Sequence, residues 1–128
     1  PDDLIWVHDY HLMPLGARLR MRGFDNRIGF FLHIPWPPSS LLMSLPNHRD
    51  LVESLLAYDV IGFQSDEWRQ AFIDYVTAQF DAEMDGEYAC HKGRRTRLLD
   101  CPIGLDAADF GSAVHSLAAK QAETRLVV

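Results

Sequence analysis

The sequence predicts an α/β fold: a Rossmann-like parallel sheet with flanking helices. Three observations carry that expectation. Apolar strand-like runs alternate with segments of helical period, the pattern of βαβ units. The first run is apolar on both faces, as a strand covered on both sides reads. Two runs then stop abruptly at histidine, Ile5-Trp6-Val7-His8-Asp9-Tyr10-His11 and Ile28-Gly29-Phe30-Phe31-Leu32-His33-Ile34-Pro35-Trp36-Pro37. In an open parallel sheet, ligands bind beyond the carboxyl ends of strands, so these two ends place Asp9 and His33 in one crevice. Such a crevice suits a polyhydroxylated ligand better than a core.

The elements follow in order. The first strand is expected over 4–8. A helix follows over 12–21, with Leu12, Leu15 and Leu19 inward, Pro14 in its first turn and Gly23 as its C-cap. The second strand covers 27–33. Pro35, Pro37 and Pro38 forbid helix; Ser39 or Ser40 can cap a short one through Leu45. Asn47 is an N-cap for a helix through Ala57 that buries Leu51, Val52, Leu55 and Leu56. The third strand covers 59–63. Ser65 caps a helix over 67–80 carrying Trp68, Phe72, Tyr75 and Val76 on one stripe. Residues 81–86 read as an acidic loop. Residues 88–90 and 96–99 read as a hairpin around Lys92-Gly93-Arg94. Pro102-Ile103-Gly104-Leu105-Asp106 is a further strand-end loop, with a one-turn segment over 107–110 and a last helix over about 113–123. The start at Pro1 and the apolar end at Leu126-Val127-Val128 read as a segment of a longer protein, residues 1–128 forming a single partial domain.

Composition narrows the function classes. A net charge of −6 argues against a nucleic-acid surface. The basic cluster Lys92-Gly93-Arg94-Arg95-Thr96-Arg97 reads as a solvated turn. No apolar run approaches the ~20 residues that span a bilayer. Cys90 and Cys101 have neither disulfide-framework nor metal spacing; they read as small hydrophobes in strand-like runs and point to a reducing, cytoplasmic compartment.

Asp9 is the sharpest candidate. A carboxylate at a strand end can accept two hydrogen bonds from vicinal sugar hydroxyls, and it can equally cap the following helix. His33 enters a partly desolvated place, its exit stiffened by Pro35 and Pro37. It reads either as a hydrogen-bonding partner of a ligand or as a buried histidine satisfied by carbonyls. His8 and His11 flank Asp9 and invite a metal reading, but side chains alternate along a strand, so His8 and Asp9 diverge. His48, His91 and His115 look incidental. Gln64 and Ser65 end the third strand on the crevice side, where Ser65 reads first as a cap. Trp6 and Trp68 read as core; Trp36, between prolines, reads as partly exposed and able to pack on a sugar or a lid. No phosphate-cradling glycine loop is present.

These strings together resemble the trehalose-6-phosphate synthase family, retaining glucosyltransferases of the two-domain GT-B kind. The matching segments are Trp6-Val7-His8-Asp9-Tyr10-His11-Leu12-Met13, Arg27-Ile28-Gly29-Phe30-Phe31-Leu32-His33-Ile34-Pro35, Leu45-Pro46, Tyr58-Asp59-Val60-Ile61-Gly62-Phe63-Gln64 and Pro102-Ile103-Gly104-Leu105-Asp106. The resemblance implies that the chain is the second half of the N-terminal, acceptor-side domain, the nucleotide-sugar-binding domain being absent. It implies transfer of glucose from UDP-glucose to glucose 6-phosphate, giving α,α-trehalose 6-phosphate, without cofactor or metal. By the same resemblance Asp9 binds acceptor hydroxyls, His33 contacts the donor glucose near the reacting centre, and Ile34 helps shape the pocket for the anomeric configuration. A 128-residue piece is expected to be inactive alone. The chain departs from many members at Ser40, where they carry Glu; that leaves room for a relative using glycerol 3-phosphate. The rivals are such a glucosylglycerol-phosphate synthase, a metal-dependent phosphohydrolase using His8, Asp9, His11 and His33, and a non-catalytic regulatory homologue. Homo-oligomerisation is left open.

Overall fold

Strand pairing runs through one mixed sheet. The structure is a computed structural model that describes residues 3–104 together with Ala108 and Gly111. Expectations for Leu105, Asp106, the segment over 107–110, the helix over 113–123, His115 and the strand at 126–128 lie outside the described residues. The strands are β1 (Ile5–His8), β2 (Ile28–Phe31), β3 (Val60–Phe63), β4 (Glu83–Asp85), β5 (Tyr88–His91) and β6 (Arg94–Asp100). Their spatial order is β1-β2-β3-β6-β5-β4. The first four in that order are parallel; β5 and β4 add an antiparallel edge. The expected parallel sheet is therefore extended by a meander. The stretch read as an acidic loop contributes β4, because its Met84 packs against the core while Glu83 and Asp85 face solvent.

The helices are α1 (Leu15–Met21), α2 (Ser39–Leu42), α3 (His48–Leu55) and α4 (Asp66–Phe80). Parallel crossovers are right-handed, so a strand order that advances steadily from β1 to β3 and on to β6 sends each connecting helix to the same face. The burial pattern agrees. Val7, Ile28, Phe30, Ile61, Phe63 and Leu98 share one face and are at most 3% exposed, with Val52, Leu55, Phe72, Tyr75 and Val76 of α3 and α4 in the same core. The other face holds Trp6 and His8 of β1 and is open at that edge: Leu4 is 62% and Trp6 46% exposed. The first strand is thus covered on one side, and Trp6 is not a core residue. Its ring lies over Gly29, where an added Cβ would sit 2.1 Å from the indole.

Local chemistry sets the ends. Past α1, Gly23 takes φ +80; its N–H donates to the Arg20 carbonyl at 3.0 Å and the Phe24 N–H to the Leu19 carbonyl at 3.1 Å, a Schellman closure. Pro14 stands at the N-cap position of α1, so the expected helix over 12–21 begins later and is preceded by a 3-10 turn, Tyr10–Leu12. Pro38, not Ser39 or Ser40, is the N-cap of α2. Asn47 holds the N-cap position of α3 without a side-chain cap bond. Ser65 caps α4, its hydroxyl accepting from the Trp68 N–H at 3.3 Å. Lys92 and Gly93 close the β5–β6 hairpin with φ +47 and +75, the two left-handed residues that a tight hairpin turn needs. The basic cluster is solvated and paired: Lys92 with Glu53, Arg95 with Asp85 at 2.7 Å, Arg97 with Glu87 at 2.8 Å. Cys90 is half-buried and Cys101 exposed just beyond β6, so the latter is not a strand hydrophobe; both are free thiols.

Candidate active site

The carboxyl ends of β1, β2, β3 and β6 share one edge of the sheet. The rungs there are the Asp9 N–H donating to the Phe31 carbonyl at 2.8 Å, the Leu32 N–H to Gly62 at 3.0 Å and the Cys101 N–H to Phe63 at 2.7 Å. Asp9, His33, Gln64 and residues 101–104 all emerge along that edge.

Asp9 carries the strongest local signal. Its backbone stands at φ +70, ψ 163. That region is essentially restricted to glycine, and holding an aspartate there costs on the order of 1–3 kcal/mol. The surrounding contacts impose it. β1 must finish its pairing with β2 and then turn at once into the 3-10 turn. The Tyr10 N–H donates to Asp9 Oδ1 at 2.9 Å and the Leu12 N–H to the Asp9 carbonyl at 3.1 Å. Tyr58, fully buried, clamps the far side of the turn: its hydroxyl donates to the Leu12 carbonyl at 2.9 Å and accepts the Gly16 N–H at 3.0 Å. Burial pushes the Tyr58 phenol above its usual 10, so it remains a neutral donor. Asp9 therefore does cap, through Oδ1, while Oδ2 has no partner among the described residues. Capping through one oxygen does not exclude a ligand at the other.

His33 lies two residues past β2 and is exposed. Its Nε2 hydrogen-bonds His8 Nδ1 at 2.9 Å, the two rings stacked at 5.2 Å between centroids. Phe31 meets His33 edge-on at 4.9 Å, and Trp6 meets His8 edge-on at 5.9 Å. Of the two readings of His33, the buried histidine satisfied by carbonyls does not hold: the ring is exposed and its partner is a side chain that the sequence did not assign. His8 lies opposite Phe31 in the parallel register and His33 shares the parity of Phe31, so the pair follows from strand register rather than from either segment alone.

Ile34 follows, 40% exposed. Trp36 departs from expectation: it is 4% exposed, edge-on to Phe72 at 4.9 Å and to Phe63 at 6.3 Å. The loop after His33 is therefore fixed by an aromatic anchor in the core as well as by prolines, and Trp36 is not a sugar platform. His48 meets the Tyr75 hydroxyl and His91 faces Glu53 at 3.4 Å, both away from this edge. Among the described residues no group of three or more His, Cys, Asp or Glu side chains is arranged to hold a metal ion. A concavity of about 560 Å³ lies on α1, lined by Leu15, Arg18, Leu19, Met21 and Arg22, not at the strand ends. Along the strand-end edge His33 and Ile34 stand exposed.

The profile of glycosyltransferase family 20 matches residues 1–126. A trehalose-6-phosphate synthase of Sinorhizobium fredii is 61% identical over 130 residues, covering 100% of this chain and 27% of the relative; one of Klebsiella pneumoniae is 52% identical over 109 residues, covering 83% and 23%. Among solved structures, an E. coli structure bound with UDP-2-fluoro glucose superposes with a TM-score of 0.82 at 37% identity, over 97% of this chain and 29% of that one. A Burkholderia xenovorans α,α-trehalose-phosphate synthase (UDP-forming) in complex with glucose 6-phosphate gives 0.79 at 41% identity, over 91% and 28%. The chain spans about a quarter of the length of the curated relatives it matches.

Proposed function

This chain belongs to glycosyltransferase family 20, and from that premise we propose that it supplies the acceptor-side wall of a retaining glucosyltransferase that makes α,α-trehalose 6-phosphate from UDP-glucose and glucose 6-phosphate. The observation that carries the proposal is Asp9: a carboxylate held in strained backbone at a strand end, one oxygen capping and the other unshared among the described residues, with His33 past the end of the strand paired to it. The relatives of known structure, bound with a UDP-glucose analogue and with glucose 6-phosphate, support the same substrate pair.

In this reaction the bond from the glucose anomeric carbon to the UDP oxygen breaks. A bond from that carbon to the acceptor's anomeric hydroxyl forms on the same face, and the acceptor proton passes to the departing phosphate. The protein contributes orientation and charge stabilisation more than covalent chemistry. Asp9 Oδ2 accepts from acceptor hydroxyls; because Oδ1 is tied to the Tyr10 N–H, the carboxylate plane is set before substrate arrives. His33 hydrogen-bonds the donor glucose near the reacting carbon. Ile34 packs against the sugar and favours one anomeric configuration. Residues 1–128 form part of the acceptor-side domain, and the nucleotide is gripped by polypeptide beyond this quarter of the family length, so the chain alone turns nothing over. The free thiols of Cys90 and Cys101 fit a reducing cytoplasm, and no helix among the described residues is long and apolar enough to cross a membrane.

The test is turnover by the full-length polypeptide containing this chain, with UDP-glucose and glucose 6-phosphate, for the wild type, Asp9→Ala and His33→Ala. Asp9→Ala is expected to raise the KM for glucose 6-phosphate sharply, and His33→Ala to lower kcat. Turnover with glycerol 3-phosphate alone would reassign the acceptor.

A further inference from the structure

We propose that His8 is a positioning residue for the transfer step: it fixes the orientation and tautomer of His33. The inference rests on the role assigned to His33 above and extends it to a residue that would not touch substrate. Apart from the His8 Nδ1 contact at 2.9 Å, no hydrogen bond to the His33 side chain exists among the described residues. The His33 ring is exposed and stands past the end of β2, so without that bond only ring packing against Phe31 and the His8 ring would restrain it. His8, in contrast, is part of a strand. It occupies the last β1 rung, opposite Phe31, with Trp6 edge-on at 5.9 Å, and Trp6 itself lies in the space that Gly29 leaves open. A side chain held on a strand is a more exact support than one on a loop.

The bond has a chemical consequence. In a pair of imidazoles one nitrogen donates and the other accepts, so the proton between Nδ1 of His8 and Nε2 of His33 sets which His33 tautomer is present. With Nε2 engaged, Nδ1 is the His33 nitrogen left for a sugar hydroxyl, and its role as donor or acceptor is fixed by the state of His8. The same geometry explains why His8 diverges from Asp9: β1 sends Asp9 toward the acceptor and His8 across the sheet to the next strand.

The test uses the full-length polypeptide, steady-state kinetics with UDP-glucose and glucose 6-phosphate, and four variants: His8→Ala, His8→Asn, His33→Ala and the double alanine variant. An asparagine places a polar atom where Nδ1 stood. His8→Ala is expected to lower kcat about ten-fold, the order expected for one hydrogen bond, with the KM for glucose 6-phosphate little changed. His8→Asn should recover most of that loss. The double variant should be no slower than His33→Ala, because His8 acts through His33. The proposal is overturned if His8→Ala keeps wild-type kcat, if His8→Asn gives no recovery while melting like the wild type, or if the His8 loss adds in full to that of His33→Ala. Wild-type kcat in His33→Ala would instead overturn the role of His33, and the inference with it.

Discussion

Glycine at position 9 should make the protein more stable and useless at once. Asp9 stands at φ +70, ψ 163, where a Cβ is strained by on the order of 1–3 kcal/mol. Asp9→Gly removes that strain. Against the gain stand two losses. A glycine unfolds into a freer chain, worth about 0.4–1 kcal/mol, and replacing a capping side chain by glycine forfeits only a few tenths of a kcal/mol. The sum is a net stabilisation of about 1 kcal/mol from these three magnitudes. Asp9→Ala keeps the strain and loses the bond from the Tyr10 N–H, so it should be destabilised by about 1 kcal/mol. The glycine variant should therefore exceed the alanine variant by about 2 kcal/mol, the reverse of the usual order at an ordinary position. Equilibrium urea unfolding of both variants, compared at equal denaturant slope, measures this directly. A glycine variant no more stable than the alanine variant would refute the strain argument, and with it the reason for singling out Asp9 on structural grounds.

Other outcomes follow from the same contacts. Tyr58→Phe leaves the Leu12 carbonyl and the Gly16 N–H without their buried partner and should cost roughly 1–3 kcal/mol in urea unfolding. Because the folded Tyr58 pKa is raised above 10, its contribution is present below pH 10 and is lost as pH rises further; the variant should show a shallower alkaline loss of stability. Gly29→Ala drives a Cβ to 2.1 Å from the Trp6 ring and should destabilise by roughly 1–3 kcal/mol while shifting tryptophan emission as the indole is displaced. Glu53 is held below its usual 4.5, first by its hydrogen bond from Lys92, against an opposing effect of burial. That stabilisation is present above pH 4.5 and lost as pH falls through the folded value, so Lys92→Ala should flatten the acid limb of a stability–pH profile.

What was legible in the sequence was local. Gly23, the Lys92-Gly93 turn and the Ser65 cap follow from the chemistry of one or two residues, and the abrupt ends of β1 and β2 located the strand-end edge. Facing decisions were less legible because they depend on which side of the sheet the helices take. Trp6 reads as core by its apolar run, yet right-handed crossovers put the helices on the face of Val7, and Trp6 rests instead on Gly29. Trp36 reads as surface by its flanking prolines, yet Phe63 and Phe72 bury it. The strain at Asp9 and the bond between His8 and His33 need two strands in register, which no single segment encodes. The edge strand β4 was hidden in an acidic stretch because only Met84 faces inward.

Under the proposed function, Asp9 holds the acceptor of a glucosyl transfer. The most direct measurement is release of UDP by the full-length polypeptide, with UDP-glucose and either glucose 6-phosphate or glycerol 3-phosphate, beside its Asp9→Asn variant. Asparagine keeps a capping oxygen and carries the same Cβ as aspartate, so the backbone strain is unchanged and folding is preserved. Turnover with glucose 6-phosphate is expected, and in the variant a large rise in the KM for that acceptor with the KM for UDP-glucose unchanged. Equal kinetics in wild type and variant would reduce Asp9 to a helix cap and overturn its role at the acceptor.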